Sequence, residues 1–173
     1  MKNETTDLAT RIALRPVEMP ADEEFLVELY YSTRDDISQA PIDDEQKKTL
    51  SLMQYLAQKQ HYLTYYPDSS HDIILFDGER VGRLWTDRLE TEIIVVDISL
   101  LSEYRNLGIG TFLLKKIFDE AEQTKRILNL HVLQTNTGAI RLWERLNFKF
   151  IDSEAPTHFK MRWRPDYKII AGE

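Results

Sequence analysis

The chain has 173 residues, a net charge of −7 and no cysteine, and this length is sufficient for one domain with its own hydrophobic core. The absence of cysteine excludes a disulfide framework, a thiolate nucleophile and a cysteine-based metal site, and the negative charge argues against a general affinity for nucleic acid. No segment has the apolar run of a signal peptide or the ~20 apolar residues of a membrane span, so we expect a soluble, cytoplasmic, single-domain protein (residues 1–173) without a nucleic-acid or membrane partner.

The N-terminal third is predicted to contain an edge strand and two helices. Ile12, Leu14 and Val17, close to two prolines, indicate the strand. The first helix covers about residues 21–33, and its apolar stripe consists of Phe25, Leu26, Leu29 and Tyr30. The second helix covers about residues 44–60 after a capping Asp43, and its apolar stripe consists of Leu50, Met53, Leu56 and Ala57.

The same third of the chain is strongly acidic, with ten acidic residues and a single basic one between Glu18 and Glu45. Acidic side chains are favoured in the first turns of helices, so two helix N-termini with solvated faces account for the pattern. The alternative is an acidic rim that attracts a cationic amine. The sequence leaves both interpretations open.

A three-strand meander follows. Residues 72–76 and 80–85 indicate two strands joined by Asp77-Gly78, because this dipeptide supplies the positive φ angles of a tight hairpin. The third strand covers residues 93–101, and its nearly continuous aliphatic run is typical of a strand buried on both faces. Asp97 interrupts that run, and an unpaired buried carboxylate is costly. Asp97 is therefore either a functional group or held by a structural partner.

The turn from Arg105 to Gly110 leads into a helix whose apolar stripe consists of Ile109, Phe112, Leu113, Ile117 and Ala121. Gly108 and Gly110 allow a ligand to approach the backbone, and the first N–H groups of the helix lack carbonyl partners. The turn therefore predicts an anion site, with Arg105 as an added cation. The glycine spacing is neither that of a dinucleotide-binding turn nor that of a phosphate loop, which counts against a nucleotide-binding protein of another fold.

The C-terminal third is predicted to hold a strand, a short helix and a final antiparallel pair. Alternating apolar residues from Leu128 to Val132 indicate the strand. Asn136 to Gly138 opens the helix, whose inner face consists of Ile140, Leu142, Trp143 and Leu146. Residues 148–151 and 159–163 form the last pair.

Two segments resemble motifs of the GNAT superfamily of N-acetyltransferases. Arg105-Asn-Leu-Gly-Ile-Gly110, after a buried strand, resembles the family's pyrophosphate-binding motif, Gln/Arg-x-x-Gly-x-Gly/Ala. Asn136–Phe148, NTGAIRLWERLNF, resembles the family segment NxxAxxLYExxGF. The order of elements from about Ile12 to Trp163 is also that of the family. The resemblance implies an α/β (α+β) fold with a mixed central sheet of six to seven strands and about four helices, in the order β-α-α-β-β-β-α-β-α-β-β.

The resemblance also implies an activity and a binding site. The activity is transfer of an acetyl group from acetyl-CoA, without a metal, to a primary amine of a small molecule or peptide by direct attack. The residues implied to hold the pyrophosphate are Arg105, Asn106, Gly108, Ile109, Gly110 and Thr111. The pantetheine arm is implied to pair with main-chain groups of Ile98 and Leu100 and to contact Asn136. Ile98 or a neighbour would also donate an N–H to the thioester oxygen.

The catalytic groups are less defined. A protonated amine must lose a proton before it attacks. The candidate bases near the central strand are Asp97, Glu92 and Glu90; for Glu92, near the start of the strand, simple exposure is the alternative interpretation. The family tyrosine that protonates the departing thiolate in many members aligns with Trp143, which cannot act as an acid. Either the thiolate leaves without a dedicated acid, or a nearby tyrosine or water substitutes, or the protein is a non-catalytic acyl-CoA-binding module.

Two further expectations follow from the same comparison. Asn147 replaces the family glycine, and asparagine tolerates the left-handed backbone conformation that this position would need. Dimers are common in the family, and the aromatic C-terminal segment is a candidate homodimer interface.

Overall fold

The computed structural model describes residues 8–151 and 157–165, so the part of the proposed C-terminal interface beyond residue 165 lies outside the described residues. The seven strands are β1 (Ile12–Pro16), β2 (Ser70–Phe76), β3 (Glu79–Arg88), β4 (Glu92–Leu100), β5 (Ile127–Leu133), β6 (Lys149–Ile151) and β7 (His158–Trp163). Their order in the sheet is β1-β2-β3-β4-β5-β7-β6. β4 and β5 are parallel, whereas the pairs β1–β2, β5–β7 and β6–β7 are antiparallel. This mixed sheet confirms the predicted fold class.

The helices are α1 (Glu23–Ser32), α2 (Asp35–Ser38), α3 (Asp44–Tyr65), α4 (Ile109–Thr124) and α5 (Thr137–Arg145), and a 3₁₀ turn covers Ser102–Tyr104. The predicted helices are present. α2 and the helical backbone of residues 8–11 were not predicted. α3 is longer than predicted, because the aromatic residues after Gln60 extend it by more than one turn.

The described residues form two compact units. The first unit contains the described residues of Met1–Trp85 and Asp97–Leu113, and the second contains those of Thr86–Val96 and Leu114–Glu173. A core cluster of the first unit consists of Phe25, Leu26, Leu29, Tyr30, Tyr55 and Ile73. In the second unit, the Phe118 ring lies 5.7 Å from Phe148 and 4.9 Å from Trp163, both edge-on. β3, β4 and α4 each contribute residues to both units.

Three local predictions are confirmed by the backbone. Asp77 and Gly78 have φ angles of 52° and 86°, as the two-residue hairpin requires. Asp43 caps α3, and it does so in a capping box with Gln46. Asn147 has a φ angle of 64° and therefore adopts the left-handed conformation at the position of the family glycine. Each of these features depends on residues close together in the chain.

The predicted inner face of α3 is wrong. Met53 and Leu56 of the predicted apolar stripe are 65% and 44% exposed, and the buried residues of α3 are Ser51 and Tyr55. Gln58, three residues after Tyr55, also points inward, because it accepts a hydrogen bond from the buried Arg83. The helix therefore turns Ser51, Tyr55 and Gln58 inward instead of its apolar stripe. Tyr55 packs in the core cluster of the first unit, and Gln58 contacts Arg83.

On the β4 side there is one residue more than on the β3 side between two hydrogen bonds that join these segments. Between the bond from Leu89 N to Glu92 O and the bond from Leu101 N to Val81 O, the chain advances nine residues on the β4 side and eight on the β3 side. An extra residue in one strand of an antiparallel pair is a β-bulge. Between the same two hydrogen bonds, a Cβ added at Gly82 would lie well inside 3.0 Å of the Ser99 carbonyl oxygen. Gly82 therefore permits the close approach of β4.

We expect Gly82→Ala to lower the free energy of unfolding by about 3 kcal/mol, because the added methyl group can be accommodated only if the backbone of β4 moves. Urea unfolding measures the effect. Gly138→Ala is the matched control, since its Cβ would lie 3.9 Å from Asn136 Oδ1, the nearest atom, and alanine favours a helix. An unchanged unfolding midpoint for Gly82→Ala would contradict the close approach of the strands.

Candidate functional site

The turn between β4 and α4 carries a set of free main-chain donors. Asn106 and Gly108 have φ angles of 62° and 83°, and the Gly108 carbonyl accepts the hydrogen bond from Phe112 N at 2.9 Å that opens α4. The N–H groups of residues 106–111 donate no hydrogen bond to the described part of the chain. They lie at the positive end of a 16-residue helix. This arrangement can bind an anion through main-chain groups alone.

The Arg105 side chain supports this turn. Its Nε donates to the Leu100 carbonyl at 2.9 Å, and its Nη2 donates to the Ser32 carbonyl at 3.1 Å. The guanidinium thus ties the turn to the end of β4 and to the end of α1. Its predicted role as an added cation at the anion site stays a prediction, and the structure adds this positioning role.

The two glycines of the turn differ in what surrounds them. Gly108 has a positive φ angle, and a Cβ there would lie 3.4 Å from Leu8 Cδ1. At Gly110 the nearest atom to an added Cβ is Leu100 Cδ1, at 4.0 Å. Gly110 therefore has room for a side chain, and what a substitution there tests is the chemistry of the turn rather than its packing.

The central strand continues beyond its last pair with its parallel partner, β5. The register with β5 runs from Glu92–Ile127 to Val95–Leu130, whereas β4 extends to Leu100. Ile98 and Leu100, the residues implied to pair with pantetheine, are partly buried and belong to this extension. The extension leads directly into the 3₁₀ turn and the anion site, so one continuous segment of the first unit carries both implied main-chain contacts.

A polar layer lies under α3 in the first unit. It consists of His71, Arg83, Trp85, Asp97 and Ser99 of the strands and of Gln58 and Tyr62 of α3. The Arg83 side chain is 3% exposed. Its Nε donates to Asp97 Oδ2 at 2.5 Å, and its Nη2 donates to Gln58 Oε1 at 2.6 Å. Ser99 Oγ lies 3.1 and 3.0 Å from the two carboxylate oxygens of Asp97. Asp97 thus has a charged partner and remains 20% exposed.

The other half of the layer is aromatic. The His71 ring stacks on Trp85 at 3.9 Å with an interplanar angle of 11°, and the Tyr62 ring contacts Trp85 edge-on at 5.1 Å. Trp85 Nε1 donates to Ser69 Oγ at 2.6 Å. Burial raises the pKa of Tyr62 above its usual value. Burial, together with the charge of Arg83, lowers the pKa of His71 to about 4. Both rings are therefore neutral near pH 7.

The low pKa of His71 predicts a loss of stability in acid. The ordinary pKa of 6.5 applies to the unfolded chain, and the folded value is about 4. As the pH falls from 6.5 to 4, the unfolded state binds a proton that the folded state excludes, so the free energy of unfolding falls by up to about 3 kcal/mol. His71→Phe keeps the stacking but not the titration. In urea unfolding we expect wild type to lose more stability than His71→Phe over this range; parallel pH profiles would contradict the assignment.

The remaining predicted residues lie elsewhere in the chain. Glu92 is the first residue of β4 and accepts a hydrogen bond from Asn129 Nδ2, and Asn129 Oδ1 accepts one from Arg162 Nε at 2.9 Å. Its catalytic role stays a prediction. The Asn136 side chain accepts a hydrogen bond from Ala139 N at 3.1 Å and thus caps α5. Trp143 is buried in the second unit, with its ring 5.2 Å from that of Phe148.

Arg83 and Gln58 were not predicted to belong to the site. A signal for Arg83 was present, because it is a single charge within the apolar run VGRLW, just as Asp97 is a single charge within IIVVDISL. Opposite charges in neighbouring strands of a meander could have been paired on that basis. Gln58 had no such signal, since a glutamine in a helix is ordinarily exposed.

The described residues match a known family. A family model described as "Acetyltransferase (GNAT) family" matches residues 30–148. This range includes the turn between β4 and α4 and every residue of the polar layer. The chain belongs to the GNAT acetyltransferase family. The resemblance stated from sequence is confirmed, and so, at the level of the family, are the predictions of an acetyltransferase and of acetyl-CoA as its cosubstrate.

The individual GNAT proteins that resemble this chain have low sequence identity to it. The "Probable N-acetyltransferase san" of Drosophila melanogaster is 30% identical over 94 residues, which are 53% of this chain and 48% of that protein. The match thus spans about half the length of this curated relative. The PaiA N-acetyltransferase of Thermoplasma acidophilum, in complex with coenzyme A, has a TM-score of 0.65 at 17% identity and covers 88% of this chain and 98% of its own. This structural similarity confirms the fold.

A second solved structure contains the acetylated cosubstrate. The GNAT family acetyltransferase of Elizabethkingia anophelis, with acetyl-CoA bound, has a TM-score of 0.57 at 17% identity and covers 89% of this chain and 98% of its own. None of the described helices is long and apolar enough to cross a membrane. The described residues contain no group of three or more His, Cys, Asp or Glu side chains that could hold a metal ion.

Proposed function

We propose that this GNAT protein transfers an acetyl group from acetyl-CoA to a primary amine of a small molecule or a peptide by direct attack. The observation that carries the proposal is the run of free N–H groups at residues 106–111, at the start of α4. A pyrophosphate offers several anionic oxygens, which is what such a run of donors binds. Asn106, Gly108, Ile109, Gly110 and Thr111 contribute these groups, and Arg105 holds the turn in place.

The extension of β4 is proposed to hold the pantetheine arm and the thioester. The arm would pair with main-chain groups of Ile98 and Leu100, the part of β4 beyond its last pair with β5. An N–H of this segment, from Ile98 or a neighbour, would donate to the thioester oxygen as that oxygen becomes negative. The bulge in β4 supports this proposal, because bulges redirect main-chain groups next to active sites.

Asp97 is the proposed base. A primary amine is protonated near neutral pH, so it arrives as a cation and gives a proton to the Asp97 carboxylate. The neutral nitrogen then forms a bond to the thioester carbonyl carbon, the carbon–sulfur bond breaks, and coenzyme A leaves as a thiolate. The nitrogen loses its second proton to water to give the amide, and the thiolate takes a proton from water. The partial exposure of Asp97 supports this role, since a proton must reach the carboxylate from outside the core.

No protonation of the thiolate is proposed at position 143. Trp143 carries an indole N–H, which donates hydrogen bonds but is not an acid in water, and its ring packs against Phe148. A thiol has a pKa of about 8.5, so the thiolate can leave without a dedicated acid and take a proton from water.

Calorimetric titration with acetyl-CoA, with ATP and NAD as controls, tests the site first. We expect micromolar binding of one acetyl-CoA and none of either control; no binding by folded protein would overturn the proposal. A panel of primary amines, with release of free coenzyme A as the readout, then tests the reaction. Release that depends on the amine supports transfer, whereas binding without release across the panel would indicate a non-catalytic acyl-CoA-binding module.

A further inference from the structure

We propose that Arg83 is a positioning residue that holds the Asp97 carboxylate in place for the reaction, and that Gln58 of α3 holds Arg83 in turn. This inference rests on the proposed function, because it assigns Asp97 the role of base. It makes α3 part of the catalytic machinery even though no side chain of α3 is proposed to touch the reacting atoms.

The geometry gives each guanidinium contact a distinct role. Arg83 Nε binds Asp97 Oδ2 at 2.5 Å, so the contact involves one carboxylate oxygen. Arg83 Nη2 binds Gln58 Oε1 at 2.6 Å, which fixes the plane of the guanidinium from the side of α3. The Ser99 hydroxyl lies within 3.1 Å of both Asp97 oxygens. The carboxylate is thus fixed from two directions.

Stability alone does not account for a charge at this position. A buried ion pair often contributes less to stability than apolar residues of the same volume would, because desolvation of both charges offsets their attraction. Arg83 is almost fully buried, and its Nη1 has no partner among the described residues. Buried donors without partners are rare and call for an explanation such as a functional role or a bound water. Placement of a reactive carboxylate supplies such a role.

The location of the pair supports the same inference. Asp97 and Ser99 both lie in β4. Gly82 of β3 allows β4 to approach closely at Ser99, two residues after Asp97. Ile98, the proposed donor to the thioester oxygen, lies between them in the sequence. A shift of Asp97 would therefore change the distance between the base and the amine that attacks next to Ile98. Small displacements of catalytic groups are costly to the rate.

A double-mutant cycle tests the inference, with Arg83→Met, Asp97→Asn and the double variant assayed for kcat and for the KM of acetyl-CoA. If Arg83 acts through Asp97, Arg83→Met lowers kcat by about 30-fold in wild type but by less than about 3-fold in the Asp97→Asn background. The KM for acetyl-CoA stays within about 2-fold in every variant. Arg83→Lys is expected to restore part of the activity, because lysine retains the charge but not the planar fork.

Arg88→Met is the matched control. Arg88 lies in the same strand and forms an ion pair with Glu120 at 2.8 Å in the second unit, so we expect kcat to remain within about 2-fold of wild type. Equal losses for Arg83→Met in both backgrounds would overturn the inference and make Arg83 purely structural. If Arg83→Met does not fold, Arg83→Lys and Gln58→Leu replace it in the cycle with the same criterion.

The cycle also separates this inference from the proposed function. A wild-type protein without amine-dependent release of coenzyme A would contradict the proposed function itself. Full activity of Asp97→Asn would remove Asp97 as the base and the positioning inference with it, while acetyl transfer would still stand. If Asp97→Asn greatly lowers kcat and Arg83→Met lowers it equally in both backgrounds, only the positioning inference is contradicted.

Discussion

Gly110→Asp is expected to weaken acetyl-CoA binding by at least about 100-fold while the protein remains folded. The substitution places a carboxylate at the first turn of α4, beside the free N–H groups of residues 106–111. Two like charges about 4 Å apart at a protein surface repel by roughly 4 kcal/mol, and each 1.4 kcal/mol is a tenfold change in affinity. The fold survives because the nearest atom to the new Cβ is 4.0 Å away.

Gly110→Ala is the matched control for this variant. It adds the same Cβ without a charge, so we expect acetyl-CoA affinity within about 3-fold of wild type, because 4.0 Å is an ordinary contact distance. Calorimetric titration of all three proteins measures the affinities, and thermal unfolding checks that each is folded. Equal affinity of the aspartate and alanine variants would show that the anion does not bind at this turn.

Asp97→Asn is expected to lower kcat by about 100-fold or more, with the affinity for acetyl-CoA unchanged. General base catalysis by a positioned group contributes about 10² to 10⁴ in rate, and asparagine cannot accept the proton. The amide still accepts a hydrogen bond from Arg83, so the side chain keeps its place, although the buried guanidinium loses its compensating charge. We therefore expect some loss of stability, and activity is measured well below the unfolding temperature.

Glu92→Gln is the control for this second prediction, and it also decides between the two bases. Glutamine preserves the hydrogen bond from Asn129, so we expect kcat within about 2-fold of wild type. A large loss in Glu92→Gln with full activity in Asp97→Asn would exchange the two roles. Equal losses of kcat and of acetyl-CoA affinity in Asp97→Asn would instead make that carboxylate a structural element of β4.

Features that depend on near neighbours in the chain were predictable from the sequence. The hairpin at Asp77-Gly78, the cap at Asp43 and the left-handed Asn147 each follow from the conformational preferences of one or two residues. The turn between β4 and α4 was predictable for the same reason. The positions of its free N–H groups depend on a few neighbouring residues, namely the end of a strand, two glycines and the start of a helix. The family motif at Arg105 to Gly110 was recognisable for this reason.

The faces that meet in the fold were not predictable in the same way. Apolar periodicity identified α3 as a helix but assigned its inner face to Met53 and Leu56, both of which are exposed. Periodicity reports which residues share a face, and it does not report what lies opposite that face. Opposite the inner face of α3 lie both the core cluster, which receives Tyr55, and Arg83, which donates to Gln58.

The sequence by itself therefore determined the fold family, all of the strands and the longer helices, and the position of the glycine turn before α4, because each of these depends on a short contiguous segment. Only the tertiary structure decided that Gln58, Arg83 and Asp97 meet under α3 and that the Arg105 side chain supports the turn. The physical reason is that most of these partners belong to different helices and strands, and which of them meet depends on how those elements pack. Gln58, 25 residues from Arg83, is the plainest case, because nothing in the sequence of α3 indicates its partner.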